Sequence, residues 1–194
     1  MASVDDYRSH QDRPVQFCLA AGAFMNFFNR FLKRVEARID LRPGRVDDLE
    51  AFGELLRIEA SSAHFFGLST PKEIDRYMEE LRSQIETLAK EMPVRVSLIA
   101  ITVDEVAVGY VVLMATPDAS IMDLNVMVVA PQWRGRGVAR FAVNELASQL
   151  TVSGRRMLVR CLPSSTEMMR LLTQLGFVEI PTTDLIVRHF MSPH

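Results

Sequence analysis

The chain has 194 residues, 48% of them hydrophobic, and carries a formal charge of −2 with a pI near 6.1. That length and apolar content suit one ordinary domain plus an extension rather than two catalytic domains, and the charge gives no bulk attraction to nucleic acid. Two cysteines, Cys18 and Cys161, stand at no metal-ligand spacing and are too few for a disulfide framework, so a reducing, cytoplasmic setting without a metal is expected.

Residues 1–15 are polar and of mixed charge and read as an irregular start. Residues 17–35 read as a helix, first apolar nearly all round and then amphipathic, with Phe24, Phe27, Phe28, Phe31, Leu32 and Val35 at helical spacing. No run reaches the roughly 18 apolar residues of a membrane span. Three readings of 17–35 stay open. They are packing against the main domain or in a homodimer, peripheral membrane contact through the phenylalanines with Arg30, Lys33 and Arg34, and secretion. The expected division is an extension at 1–36 and a main domain at 37–194.

A first strand is expected over Ala37 to Leu41. Asp47-x-x-Glu50 then starts a helix to about Ala60 whose buried side is Leu49, Phe52, Leu55, Leu56 and Ile58. Thr70-Pro71-Lys72-Glu73 opens a second helix to about Met92, and its stripe Ile74, Tyr77, Met78, Leu81, Ile85 and Leu88 reads as core. Strands follow over 94–102, 106–115 and 121–129, joined by connections short enough to make them antiparallel neighbours. After a glycine-bearing turn and its helix come a strand at 156–162, a helix opened by a second capping box at Ser164-Ser165-Thr166-Glu167 and ended at Gly176, and closing strands at 177–180 and 184–191. The order β-α-α-β-β-β-α-β-α-β-β favours a single α/β domain on a mixed sheet.

The stretch from Ile121 to Leu150 carries the chemistry. Gly135 and Gly137 let the backbone turn tightly and approach a ligand just before helical spacing begins. Arg134, Arg136 and Arg140 add positive charge around the helix start, which makes pyrophosphate the natural guest. The lysine and hydroxyl of an NTP-binding P-loop are absent. Arg140 stands where a dinucleotide fingerprint needs its third glycine.

Arg134-x-x-Gly137-x-Ala139, preceded by Val129-x-Pro131 and followed by a helix, resembles the acyl-CoA motif of the GNAT N-acetyltransferase superfamily. The resemblance covers about residues 37–192 and includes the later Leu171-x-x-x-Leu175-Gly176-Phe177. It implies a single GNAT-like domain with a mixed, mostly antiparallel sheet flanked by helices. It also implies acetyl-CoA as cosubstrate and no metal. Met127, Val128 and Val129 would pair through their backbone with the pantetheine arm, and the amides of Arg134, Gly135, Arg136, Gly137, Val138, Ala139 and Arg140 would hold the pyrophosphate. The thioester would then sit where the strands at 121–129 and 156–162 splay.

The resemblance implies transfer of an acetyl group to a primary amine, small-molecule or protein-borne, by direct attack in a ternary complex. Asp123, on a strand face expected to be shared with Asn125, Met127 and Val129, is the catalytic candidate, since an attacking amine must lose a proton. The family's frequent tyrosine in the late helix is Leu172 here and its asparagine is Ser165. Solvent, Ser164, Ser165 or Cys161 are the remaining proton donors, and His64 stands in the region of the acceptor pocket. The alternative function, motivated by Leu172 and the N-terminal helix, is a non-catalytic acyl-CoA-binding regulatory or assembly module.

Overall fold

Three consecutive runs rich in valine, isoleucine and leucine form the centre of a seven-stranded sheet in the computed structural model, which describes residues 39–60, 64–65, 67–88, 95–184 and 186–193. All of these belong to the unit Glu36–His194. The helix expected at 17–35 and its three readings lie outside the described residues.

The strands are β1 Ile39–Pro43, β2 Val96–Val103, β3 Val106–Ala115, β4 Ile121–Val129, β5 Arg156–Cys161, β6 Val178–Ile180 and β7 Arg188–Met191. The helices are α1 Asp48–Glu59, α2 Pro71–Leu88, α3 Val138–Val152 and α4 Thr166–Gln174, so the element order is the expected one. In space the strands run β1-β2-β3-β4-β5-β7-β6, with β4 and β5 the one parallel pair among them.

Each face of the sheet buries its own core. On one side Val138, Ala142, Val143, Leu146 and Leu172 of α3 and α4 pack on Val111, Met122, Leu124, Met157 and Val159. On the other, Leu49, Phe52, Leu56, Ile74 and Leu81 of α1 and α2 pack on Leu98, Ala100, Tyr110, Val112, Val126 and Val128. Burying such side chains contributes about 1.5–3 kcal/mol each, which holds the two helical layers against the sheet.

Some local expectations change. Asp47 has helical backbone angles and makes no side-chain cap to α1. Asp48 is the working carboxylate instead: it accepts two bonds from the Arg42 guanidinium at 2.7 and 2.8 Å, the Arg45 amide at 2.6 Å and the Tyr110 hydroxyl at 3.3 Å. A carboxylate that buried needs such partners, and these tie β1, α1 and β3 together. Burial pushes its carboxyl up, but Arg42, the Arg45 amide and Tyr110 outweigh that and hold it below the usual range.

The Thr70–Glu73 box at α2 is formed, with the Thr70 amide donating to Glu73 Oε2 at 2.9 Å and the Glu73 amide to Thr70 Oγ1 at 3.3 Å. At α4 the N-cap is Ser165, which makes no side-chain cap to the helix, and its Oγ donates to the His64 carbonyl at 3.3 Å. Ile58 is 54% exposed. The last strand starts at Arg188 rather than Asp184, since Asp184 Oδ1 accepts the Ile186 and Val187 amides and draws them into a turn.

The most consequential departure lies in β4. Val112 pairs with Val126 but Leu113 pairs with Leu124, so Asn125 is an extra residue, a β-bulge. A bulge flips the alternation of side chains. Met122 and Leu124 face α3 below it and Met127 and Val129 do so above it, whereas Asp123, Val126 and Val128 take the α2 side. Asp123 therefore does not share a face with Met127 and Val129.

Candidate active site

Parallel pairing between β4 and β5 covers Ile121–Leu124 against Arg156–Val159 and stops there. Beyond it the strands diverge into a V, with Asn125 and Arg160 at the vertex and the 131–137 turn at the wide end. This opening belongs to a cleft of about 1120 Å³ lined by β4, the turn, α2, β5 and α4.

The free β4 edge offers a specific set of backbone groups. The Ala130 amide donates to Val108 of β3 at 2.8 Å, so by alternation Val128 also directs its backbone at β3. Met127 and Val129 then direct theirs into the V. Of the three residues expected to pair with an extended ligand, Met127 and the Val129 amide are turned into the V, the Val129 carbonyl already accepts Arg134 Nε at 3.0 Å, and Val128 is committed to the sheet.

At the wide end, Pro131–Trp133 makes one 3₁₀ turn. Gly135 and Gly137 then adopt φ of +69° and +82°, left-handed conformations that an L side chain would strain. Gly137 caps α3, and the first intrahelical bond runs from the Phe141 amide to its carbonyl at 2.9 Å. The amides of Val138, Ala139 and Arg140 have no intrahelical acceptor and carry the partial positive charge of a helix start.

The three arginines add less direct charge than expected, because each has a protein partner. Arg134 folds back, its Nε donating to the Val129 carbonyl at 3.0 Å and its Nη2 pairing with Glu59 at the end of α1. Arg136 stacks 5.1 Å from the Trp133 ring and does not line the cleft. Arg140 bonds Gln174, joining α3 to α4. Met127, Val128, Val129, Arg134, Gly135, Gly137, Val138, Ala139 and Arg140 all line the cleft.

Four polar side chains meet at the vertex on the α2 side of the sheet. Asp123, 5% exposed, accepts Arg160 Nη2 at 2.5 Å and Nε at 3.4 Å, so its carboxylate is engaged rather than free, and Arg160 fronts the cleft. The Tyr77 hydroxyl donates to Asn125 Oδ1 at 3.0 Å. Burial pushes the Tyr77 phenol well above its ordinary value and the nearby Asp123 carboxylate adds to this, so it is a hydrogen-bond donor rather than a source of protons. Tyr77 had read as core and Arg160 as an ordinary strand residue, since helical spacing does not reveal which hydroxyl reaches a bulge across the sheet.

Residues 38–178 match the family model for the acetyltransferase (GNAT) domain. The chain belongs to the GNAT acetyltransferase family. No curated protein matches its sequence. It is similar in fold to yncA, a putative acetyltransferase from Salmonella typhimurium solved with acetyl-CoA, at 13% identity and TM-score 0.58 over 80% of this chain and 92% of that one. A spermidine N-acetyltransferase from Vibrio cholerae in complex with CoA and spermine gives 17% identity and TM-score 0.62 over 79% and 94%. The GNAT domain of S. lividans PAT gives 20% and 0.57 over 78% and 88%.

Within this GNAT domain the remaining candidates are placed as follows. Leu172 is fully buried in the α3–α4 core, facing away from the α2-side cluster. Cys161 is 3% exposed, and burial pushes its thiol up to about 11 against the opposing pull of Arg188, which makes it a poor proton donor. Ser165 Oγ donates to the His64 carbonyl, and His64 lines the cleft. Among the described residues no group of three or more His, Cys, Asp or Glu could hold a metal ion, and no helix is long and apolar enough to cross a membrane.

Proposed function

We propose that this protein is an acetyl-CoA-dependent N-acetyltransferase in which an amine attacks the thioester directly within a ternary complex. The observation that carries the reading is the open β4 edge leading from the Asn125 bulge to the Gly135–Gly137 turn. Met127 and Val129 suit the amides of an extended pantetheine, as they would a neighbouring strand. The unpaired amides at the start of α3 suit a pyrophosphate. Acetyl-CoA bound to yncA, and CoA with spermine bound to the Vibrio enzyme, support the cosubstrate and an amine acceptor as a class.

In this reading the thioester lies at the vertex. The amine lone pair forms the new C–N bond, the C–S bond breaks with its electron pair on sulfur, the surplus amine proton leaves to water and the thiolate takes a proton from water. Protein groups supply position and polarity. Backbone N–H groups at the bulge stabilise charge on the carbonyl oxygen, Tyr77 fixes Asn125, and Asp123 acts through Arg160 as a positioning residue.

A second reading, a non-catalytic acyl-CoA-binding module, is favoured by an aliphatic, buried Leu172 at the position where the family often has tyrosine and by the pairing of Asp123 with Arg160. Calorimetric titration with acetyl-CoA combined with CoA release across an amine panel tests both. Binding with turnover supports the enzyme, binding without turnover supports the module, and failure to bind removes both.

A further inference from the structure

Arg160 and Asp123 are 37 residues apart in the chain and meet at the vertex of the V. The carboxylate is the buried member and the guanidinium the presented one, with side-chain exposures of 7% and 47%. A buried carboxylate on a strand between Met122 and Leu124 is a poor choice for packing alone, because desolvating it costs stability. Its geometric effect is definite. It holds the Nε–Nη2 edge of Arg160 and so orients the rest of the guanidinium.

A guanidinium has five N–H donors on a rigid plane. With one edge taken by Asp123, the Nη1–Nη2 edge remains, and two parallel N–H groups match one carboxylate. Of the charges that α2 brings to the cleft, Glu73 keeps its charge but turns Oε2 to the Ser69 and Thr70 amides at the helix start, while Arg76 and Glu80 are exposed, of opposite sign and one turn apart.

We infer that the acceptor is a small amino-acid-like molecule, an amine that also carries a carboxylate, and that Arg160 is the residue that reads the carboxylate. The inference rests on the acetyltransferase reading and names the acceptor class for that site. A polyamine, which is cationic along its length, offers no acceptor to this donor edge.

The test is a panel of matched acceptors, amino acids beside their carboxamides and their decarboxylated amines, read as kcat/KM from CoA release. The wild-type protein is expected to prefer the carboxylate-bearing member by about 10- to 100-fold. In Arg160→Gln that ratio falls towards one, and Arg160→Lys keeps only part of it because the charge survives without the fork. Since Arg160→Gln leaves Asp123 unpaired and threatens folding, Asp123→Asn/Arg160→Gln provides a neutral second background with the same expected loss.

A wild-type preference for carboxamides, polyamines or phosphate-bearing amines overturns the inference, as does a preference that survives in both variants. If no amine is turned over, the acetyltransferase reading fails by itself, and calorimetric binding of the same pairs to the CoA-loaded protein decides the inference. Carboxylate-dependent binding lost in the variants sustains it. Equal binding of both members, or of neither, overturns it.

Discussion

The two ends of the cleft are built from different materials. The wide end is backbone: left-handed glycines, the first amides of α3 and the unpaired edge of Met127 and Val129. The vertex is side chain: Tyr77 reaching Asn125 from 48 residues away and Arg160 reaching Asp123 from 37 away. A site made of backbone is specified locally and accepts many side chains around it. A site made of side chains depends on each partner arriving from a distant element, so it is the end where one member of the fold can differ from another in its acceptor.

Substitutions can break or sharpen this contrast. The largest effect is expected at Asp48, which joins β1, α1 and β3. Asp48→Asn is expected to cost about 1.5–3 kcal/mol in denaturant unfolding at pH 7, as for loss of charge-assisted hydrogen bonds. Because the folded carboxyl lies below its unfolded value of 3.8, that stability is present above about pH 4 and is lost as pH falls through the folded pKa. The gap between wild type and variant should therefore close in acid, and a gap that widened there would contradict the pairing.

Next in size, Gly137→Val forces a β-branched residue to φ +82° and is expected to weaken acetyl-CoA binding roughly 30-fold by calorimetry. Unaltered affinity would show that the turn does not hold the ligand. Arg134 ties the turn to β4 and α1, since its partners are the Val129 carbonyl and Glu59. Arg134→Ala and Glu59→Gln should each weaken acetyl-CoA by about 5-fold, and the double variant should add little beyond either. Full additivity would mean that Arg134 touches the cosubstrate directly.

The smallest effect is expected at Tyr77→Phe, which removes one hydrogen bond to the bulge residue. It should lower kcat about 3-fold while leaving acetyl-CoA affinity within twofold. A change in affinity with kcat intact would place Tyr77 with the backbone end instead.

Much of the fold was legible in the chain because its cues are local. Alternating or continuous apolar runs marked the strands, the Thr70–Glu73 box marked α2, and glycine before an amphipathic run marked the turn into α3. Local cues misled where a tertiary partner outbid them. Asp47 makes no cap while its neighbour Asp48 is held by Arg42, Arg45 and Tyr110, Ser165 Oγ turns to the His64 carbonyl, and Asp184 draws two amides out of a strand. At the site, the glycine turn before α3 was legible from spacing, whereas the commitment of the Val128 backbone to β3 and the stacking of Arg136 on Trp133 outside the cleft were not.

The single residue that separates the two kinds of knowledge is Asn125. Nothing in the alternation of 121–129 announces a bulge, because a bulge exists only in the register between β4 and β3, a relation between two strands. That one extra residue turns Asp123 to the α2 side and so brings it to Arg160. The amino-acid sequence determined the element order, the glycine turn and the unpaired amides that follow from it, since those depend on backbone conformation over a few residues. Tertiary structure alone decided which side chains meet at the vertex, because their meeting depends on strand register and on a helix laid across the sheet.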